Sequence, residues 1–231
     1  MPVAKINHAD FHAESWYHII LKSVDGIQLF YDDSDYQVFQ KRFNKFTCHW
    51  LETAVYCLIT NHTHFLCKIK STEEIQQGLM TIHPAKQTYI SKQWSQEINN
   101  QSLLNLMILR QFNSFLSSYA LYINEKFDRK GGLFQHQFVR KQASDTDYLR
   151  QLVLYIHGNP IKHGIAPDFK SYTYSSYPQL INPFSHNSTS TEIIQLFGGI
   201  KEFDEAHQQL LPYFYQTDPV SALRSMPQRF T

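Results

Sequence analysis

The sequence predicts an α+β fold: a central antiparallel sheet with helices packed on one face, and a small helical extension at the C-terminus. Three observations lead there. Short branched and aromatic runs recur at 16–22, 53–59 and 62–70, and only Thr60-Asn61 separates the last two, as in an antiparallel hairpin. Between and after these runs, apolar residues recur at helical spacing. The chain has 231 residues, 42% apolar and 18% charged. That balance suits one sizeable core and excludes a disordered or collagen-like chain.

The elements follow in order. Trp16-Tyr-His-Ile-Ile-Leu-Lys22 reads as a first strand, closed by a turn at Asp25-Gly26. Asp32, Asp33 and Asp35 then precede Tyr36, Phe39, Phe43 and Phe46. Spacings of three and four put those rings on one helix face, with acids at its start and Lys41, Arg42 and Lys45 near its end. The hairpin 53–70 comes next, and Ser71-Thr-Glu-Glu74 caps a short helix. Residues 84–101 are polar and show no clear period. Leu106, Leu109, Phe112, Phe115, Leu116, Tyr119 and Ile123 mark one long helix over 103–127, broken by Lys130-Gly-Gly132. Residues 133–141 read as loop and strand. Tyr148, Leu149, Leu152, Tyr155 and Ile156 form the apolar side of a helix that Asn159-Pro160 is expected to end. Ser185 to Thr191 reads as a polar linker, 192–214 as one or two small helices around Gly198-Gly199, and the tail after Thr217 as loose.

Charge and cysteines bound the function. The formal net charge of +1 excludes a protein that holds nucleic acid by bulk charge alone. The charge is uneven, however: residues 86–170 carry eleven Lys and Arg against six Asp and Glu, and both flanks are net acidic. Three cysteines without CxxC spacing build neither a disulfide frame nor a structural zinc site. They read as buried small hydrophobes. No apolar run approaches the roughly 20 residues that span a bilayer. The first 16 residues are too charged for a signal peptide. The expected location is cytoplasmic, with no membrane partner.

Two places could carry chemistry. His62 and His64 stand two apart on a strand, so both imidazoles face the same way, roughly 6–7 Å apart at their origins. They could share one divalent ion, or be ordinary half-buried histidines. Tyr155 and Asn159 stand four apart on a helix, so they share a side near its end. Taken alone, Tyr155 is as well read as core and Asn159 as a C-terminal cap.

Together these pieces resemble a known family. Asn61-His62-Thr63-His64 resembles the NHxH strand of the single-tyrosine HUH transposases. Tyr155-Ile-His-Gly-Asn-Pro-Ile-Lys-His-Gly164 resembles the YIHxNP helix end of their REP-associated branch. His18-Ile-Ile on the first strand, Gly131-Gly-Leu-Phe-Gln135 with Phe138, Tyr174-Ser-Ser-Tyr177, and Phe197-Gly198 follow in the family's order. The resemblance spans about residues 15–215. Thr63 stands where a hydrophobic residue is usual, and Ile59-Thr60 where Met-Pro is often found; neither change removes a functional group.

The resemblance implies a ferredoxin-like HUH nuclease fold over residues 1–183, with a linker and helical extension over 184–231. It implies a metal-dependent single-stranded DNA endonuclease and strand transferase, acting in DNA transposition or repeat-element mobilisation. Tyr155 would be the nucleophile, forming a 5′-phosphotyrosine link. His62, His64 and Asn159 would hold a divalent ion, Mg²⁺ or Mn²⁺. A free phenol ionises only near pH 10, so the tyrosine needs help from a metal, a base or charge neutralisation at the phosphate. Single-stranded or hairpin DNA would lie along Arg129, Lys130, Phe134, Arg140, Lys141 and Lys162, where basic and aromatic residues interleave. Family members work as monomers in cis or as dimers exchanging the tyrosine helix. Two other readings stand beside this one: a domesticated, non-catalytic DNA-binding protein on the same fold, and a metal-dependent hydrolase using water at the histidine pair.

Overall fold

The computed structural model describes residues 8–214. The tail after Thr217, and the first seven residues of the stretch read as no signal peptide, lie outside the described residues. Strand β1 (Trp16–Lys22) is followed by α1 (Asp33–Thr47) and the hairpin of β2 (Leu51–Ile59) and β3 (His62–Ile69). Helices α2 (Thr72–Met80), α3 (Tyr89–Gln96) and α4 (Gln101–Lys126) lead to β4 (Val139–Ala143). The sheet order is β2-β3-β1-β4, and every neighbouring pair is antiparallel. A β-α-β-β-α-β path with this order is the ferredoxin-like arrangement, so the expected α+β class holds. α3 occupies part of the unplaced 84–101 stretch. Its signal is faint because only Ile90 and Trp94 bury apolar side chains from a run of Ser, Gln and Lys.

The helices cover both faces of the sheet, not one as expected. Strand alternation shows why. Tyr17, Ile19, Leu21 and Phe65 face α1 and α4, joining Phe39, Phe43, Phe112, Phe115 and Tyr119 in a first core. Val55, Cys57, Ile59 and Leu66 face the opposite way and are equally apolar. That second face is sealed by α5 (Thr146–Lys162), with α6 (Tyr177–Leu180), α7 (Ser188–Phe197) and α8 (Ile200–Phe214) beside it. Leu152, Val153, Leu154 and Ile156 of α5 are buried there, each such side chain contributing about 1.5–3 kcal/mol of hydrophobic stabilisation. The stretch 185–191 is not a plain linker, because Asn187 caps α7 in a reciprocal capping box with Ser190. Cys57 and Cys67 are buried as expected, while Cys48 is only half-buried, and all three are free. Among the described residues, no helix is long and apolar enough to cross a membrane.

The start of α1 carries an electrostatic lock. Asp32 accepts from the Ser34 and Asp35 amides, and Lys126 of α4 lies 2.7 Å from the carboxylates of Asp32 and Asp35. The hydrogen bond from Lys126, then that from Ser34, holds the Asp32 carboxyl down to about 2. A depressed carboxyl stabilises the fold above its unfolded pKa, and that contribution is lost as pH falls through the folded value. Asp32→Asn keeps a capping acceptor but not the charge. Wild type is therefore expected to exceed this variant in urea midpoint above about pH 4. The gap should close as pH drops to about 2. A gap unchanged across that window contradicts the assignment.

Candidate active site

The site forms where β1, β3 and the end of α5 meet on the second face. Cross-strand register sets His62 opposite Lys22 and His64 opposite Ile20, with His18 one diagonal step from His64. The His62 and His64 rings are 5.0 Å apart by centroid, at 76°. Thr63, between them, points to the other face and is buried. Each imidazole is fixed by a bond at Nδ1: His62 to Asn61 Oδ1 at 2.8 Å, and His64 to His18 Nε2 at 3.0 Å. His18 is a site residue to which the sequence assigned no role. The signal was its even spacing from the strand's apolar residues, but its pairing with His64 depends on β1–β3 register. All three rings are held neutral. Burial, then Lys141, lowers His18 to about 3; burial, then His163 and Lys22, lowers His62 to about 4. Burial, then His18 and His62, keeps His64 well below its ordinary value.

Tyr155 reaches the histidines from α5. Its half-buried ring lies edge-on to His64 at 5.4 Å and to His18 at 6.1 Å. The helix does not stop at Asn159-Pro160 as expected, but continues through Pro160 to Lys162. Proline has no N–H for the carbonyl of Ile156, one turn back. The side chain of Asn159 substitutes: its amide Nδ2 donates to the carbonyls of Tyr155 at 2.8 Å and Ile156 at 3.4 Å. Two carbonyls on Nδ2 also decide which end of the amide is which, so Oδ1 must point away from the helix backbone.

Two atoms of this site are buried and have no hydrogen-bond partner, His64 Nε2 and Asn159 Oδ1. Buried polar atoms are nearly always paired, so an orphaned nitrogen and oxygen in one site need a reason. A divalent ion would supply one: with His62 they would make a mixed N/N/O donor set of the kind that suits Mn²⁺, Zn²⁺ or, less comfortably, Mg²⁺. Among the described residues, no cluster of three or more His, Cys, Asp or Glu side chains is placed to hold a metal. Any such set would therefore need the amide.

The basic residues divide. Lys162, exposed at the end of α5, and Lys22 both bear on His62 electrostatically, and the His163 ring is 5.2 Å from it. Neither Lys22 nor His163 was picked out from the sequence. Lys141 stands opposite His18 and on its face, whereas Arg140, one residue earlier, turns to the other face. There Arg140 donates to the Ala9 carbonyl at 2.7 Å and lies over the rings of Phe11 and Phe138. Arg129 folds back on Asn124, and Lys130 is exposed at the following turn. Phe134 is half-buried against Tyr119, with its backbone bridged to Ser23. The 133–135 backbone runs beside the end of β1, through bonds from Val24 to Leu133 and from Gln135 to Lys22.

No protein-family model matches the chain. It is 25% identical over 135 residues to a Haemophilus influenzae protein provisionally named a REP-associated tyrosine transposase. The match takes in 58% of this chain and 64% of that relative, slightly less than two thirds of its length. Among solved structures, one titled as a REP-associated tyrosine transposase bound to a REP hairpin aligns over 80% of this chain and 89% of its own, at 15% identity and a TM-score of 0.48. On its ordered motifs and its curated relative, the chain is similar to the REP-associated tyrosine transposases.

Proposed function

We propose that this protein cleaves and rejoins single-stranded DNA, hairpin-flanked strands in particular, through a phosphotyrosine at Tyr155. One observation supports this reading above the others: Tyr155 stands edge-on to His64 in a site with an orphaned buried nitrogen and an orphaned buried oxygen. His62, His64 and Asn159 would hold a divalent ion, Mn²⁺ or Mg²⁺ in use. When bound, it would neutralise charge on the scissile phosphate. The Tyr155 oxygen attacks the phosphorus, the P–O3′ bond breaks, and the leaving 3′ oxygen takes up a proton. A second 3′-OH later attacks the 5′-phosphotyrosine, and the phenol regains its proton as it leaves. The phosphotyrosine conserves the bond energy, so no nucleotide cofactor is required. His18 and Asn61 hold the ligand imidazoles in place, and Lys22, Lys141 and Lys162 supply positive charge along the strand's path. Location in the cytoplasm and a monomer working in cis, or a dimer exchanging the tyrosine helix, belong to the same proposal.

The test is direct. Protein, Mn²⁺ and a hairpin-flanked single strand are expected to give a denaturant-resistant protein–DNA adduct that chelator prevents. A domesticated binder would bind the strand without an adduct. A water-using hydrolase would cut it without one and would survive Tyr155→Phe.

The face each base occupies also predicts its role. Lys141→Gln is expected to flatten the dependence of log affinity on log salt by about 0.7, one lost contact to a single strand. Arg140→Gln should leave that slope unchanged and lower Tm instead, since its partners are Ala9 and two rings. Equal slope changes in both variants would contradict the division.

A further inference from the structure

Behind the tyrosine helix lies a buried polar chain that the proposed chemistry does not use. His157 follows Tyr155 by two residues, so on an α-helix it points to nearly the opposite side. Its Nδ1 is 2.9 Å from His207 Nε2 on α8, and its Nε2 is 2.8 Å from the Ser176 hydroxyl. His207 Nδ1 is 2.7 Å from the Phe203 carbonyl, and Ser176 Oγ accepts from the Tyr56 amide of β2 at 2.9 Å. All three side chains are buried, His157 and His207 to 1% exposure or less.

The directions at the two imidazoles follow from the Phe203 carbonyl. The Phe203 carbonyl can only accept, so His207 carries its proton on Nδ1. Burial lowers His207 to about 4 and keeps it neutral, so its Nε2 is an acceptor and His157 must donate from Nδ1. His157 Nε2 meets the Ser176 hydroxyl, which also lies 3.4 Å from the Tyr56 carbonyl. The chain runs from β2 through Ser176 and α5 to α8. Such a network fixes geometry, because removing one member strands a buried N–H. A second tie runs beside it: Arg150 of α5 donates to the Leu196 carbonyl near the end of α7 at 2.8 Å.

We propose that the C-terminal helices are part of the tyrosine site, and that His207 is a positioning residue that holds α5 so that Tyr155 meets His64. The role rests on reading Tyr155 as the nucleophile; the hydrogen-bond chain does not. Three variants of the full chain separate the cases. His207→Leu deletes the acceptor for His157. His207→Gln returns one, since the Gln oxygen occupies the Nε2 end. Leu210→Val trims the same helix in the apolar core, where Leu210 is 1% exposed, without touching the chain. Adduct formation with a hairpin-flanked strand and Mn²⁺, and strand affinity, are measured for each at temperatures equally far below its Tm. His207→Leu is expected to slow adduct formation about tenfold, the scale of a small misplacement of a reacting group, with strand affinity unchanged. His207→Gln should recover most of the rate, and Leu210→Val should lose none. An equal loss in Leu210→Val, or no recovery in His207→Gln, would overturn the positioning role. Amide exchange over residues 152–162 and the nitrogen spectrum of the imidazoles need no activity. Faster exchange in His207→Leu alone, with both histidines protonated at Nδ1, supports the clamp; unchanged exchange or an Nε2-protonated His207 overturns it. Absence of any wild-type adduct would refute the proposed nucleophile, leaving these two readouts to decide the clamp.

Discussion

Tyr155→Phe is expected to abolish the covalent protein–DNA adduct, at least about a thousandfold in rate, while binding the same strand as wild type does. The size follows from chemistry: a covalent route has no substitute once its nucleophile is gone. The unchanged binding follows from position. The Tyr155 ring is half-buried and packs edge-on to His64 and His18, and phenylalanine preserves that packing. The substitution changes no cationic side chain, so the salt-dependent part of binding stays. Gel detection of the adduct, beside a fluorescence titration of the strand, checks both halves. Undiminished adduct in the variant would move the nucleophile elsewhere. Lost binding would make Tyr155 a strand contact instead.

The second large effect concerns the donor set. Replacing His62 and His64 together by alanine is expected to reduce Mn²⁺ affinity at least about 100-fold, because two of the three proposed ligands go. His18→Ala should weaken it by about 10- to 100-fold, the usual effect of removing the partner that orients a ligating imidazole. The reason is tautomeric. For Nε2 of His64 to face an ion, its proton must sit on Nδ1 and be donated to His18 Nε2, 3.0 Å away. Asn159→Ala takes out the amide oxygen and also exposes the Ile156 carbonyl that Pro160 cannot serve. It should therefore lower both metal affinity and Tm. Tyr155→Phe should leave metal affinity unchanged. Calorimetric titration of Mn²⁺ into the protein without DNA reads all four. Equal affinities in wild type and the double alanine variant would remove the histidine pair from any metal site.

Local periodicity made two placements legible: strand alternation puts His62 and His64 on one face, and helical spacing puts Asn159 with Tyr155, while the roles proposed for them came from the resemblance. The sheet itself was legible through its runs and the two-residue turn at Thr60-Asn61. What could not be read were facts of register and docking. His18 matters only once β1 pairs with β3. The adjacent Arg140 and Lys141 part company only once β4 pairs with β1. Pro160 looked like a stop because the side chain that replaces its missing N–H is supplied by the preceding residue. His157 and His207 are 50 positions apart in sequence, and nothing local links them. The second helical layer was hidden for the same reason. Its apolar strand positions, Val55, Cys57, Ile59 and Leu66, show that a face is buried but not which helices bury it.

The most direct measurement of the central claim is to locate the bond. Trypsin cuts after Arg150 and Lys162, so residues 151–162 form a peptide whose single tyrosine is Tyr155. After reaction with a hairpin-flanked strand and Mn²⁺, then nuclease and trypsin digestion, mass spectrometry should find that peptide carrying a 5′-linked nucleotide on Tyr155. The unmodified peptide alone, with the strand cleaved or with the nucleotide on another residue, would contradict the account.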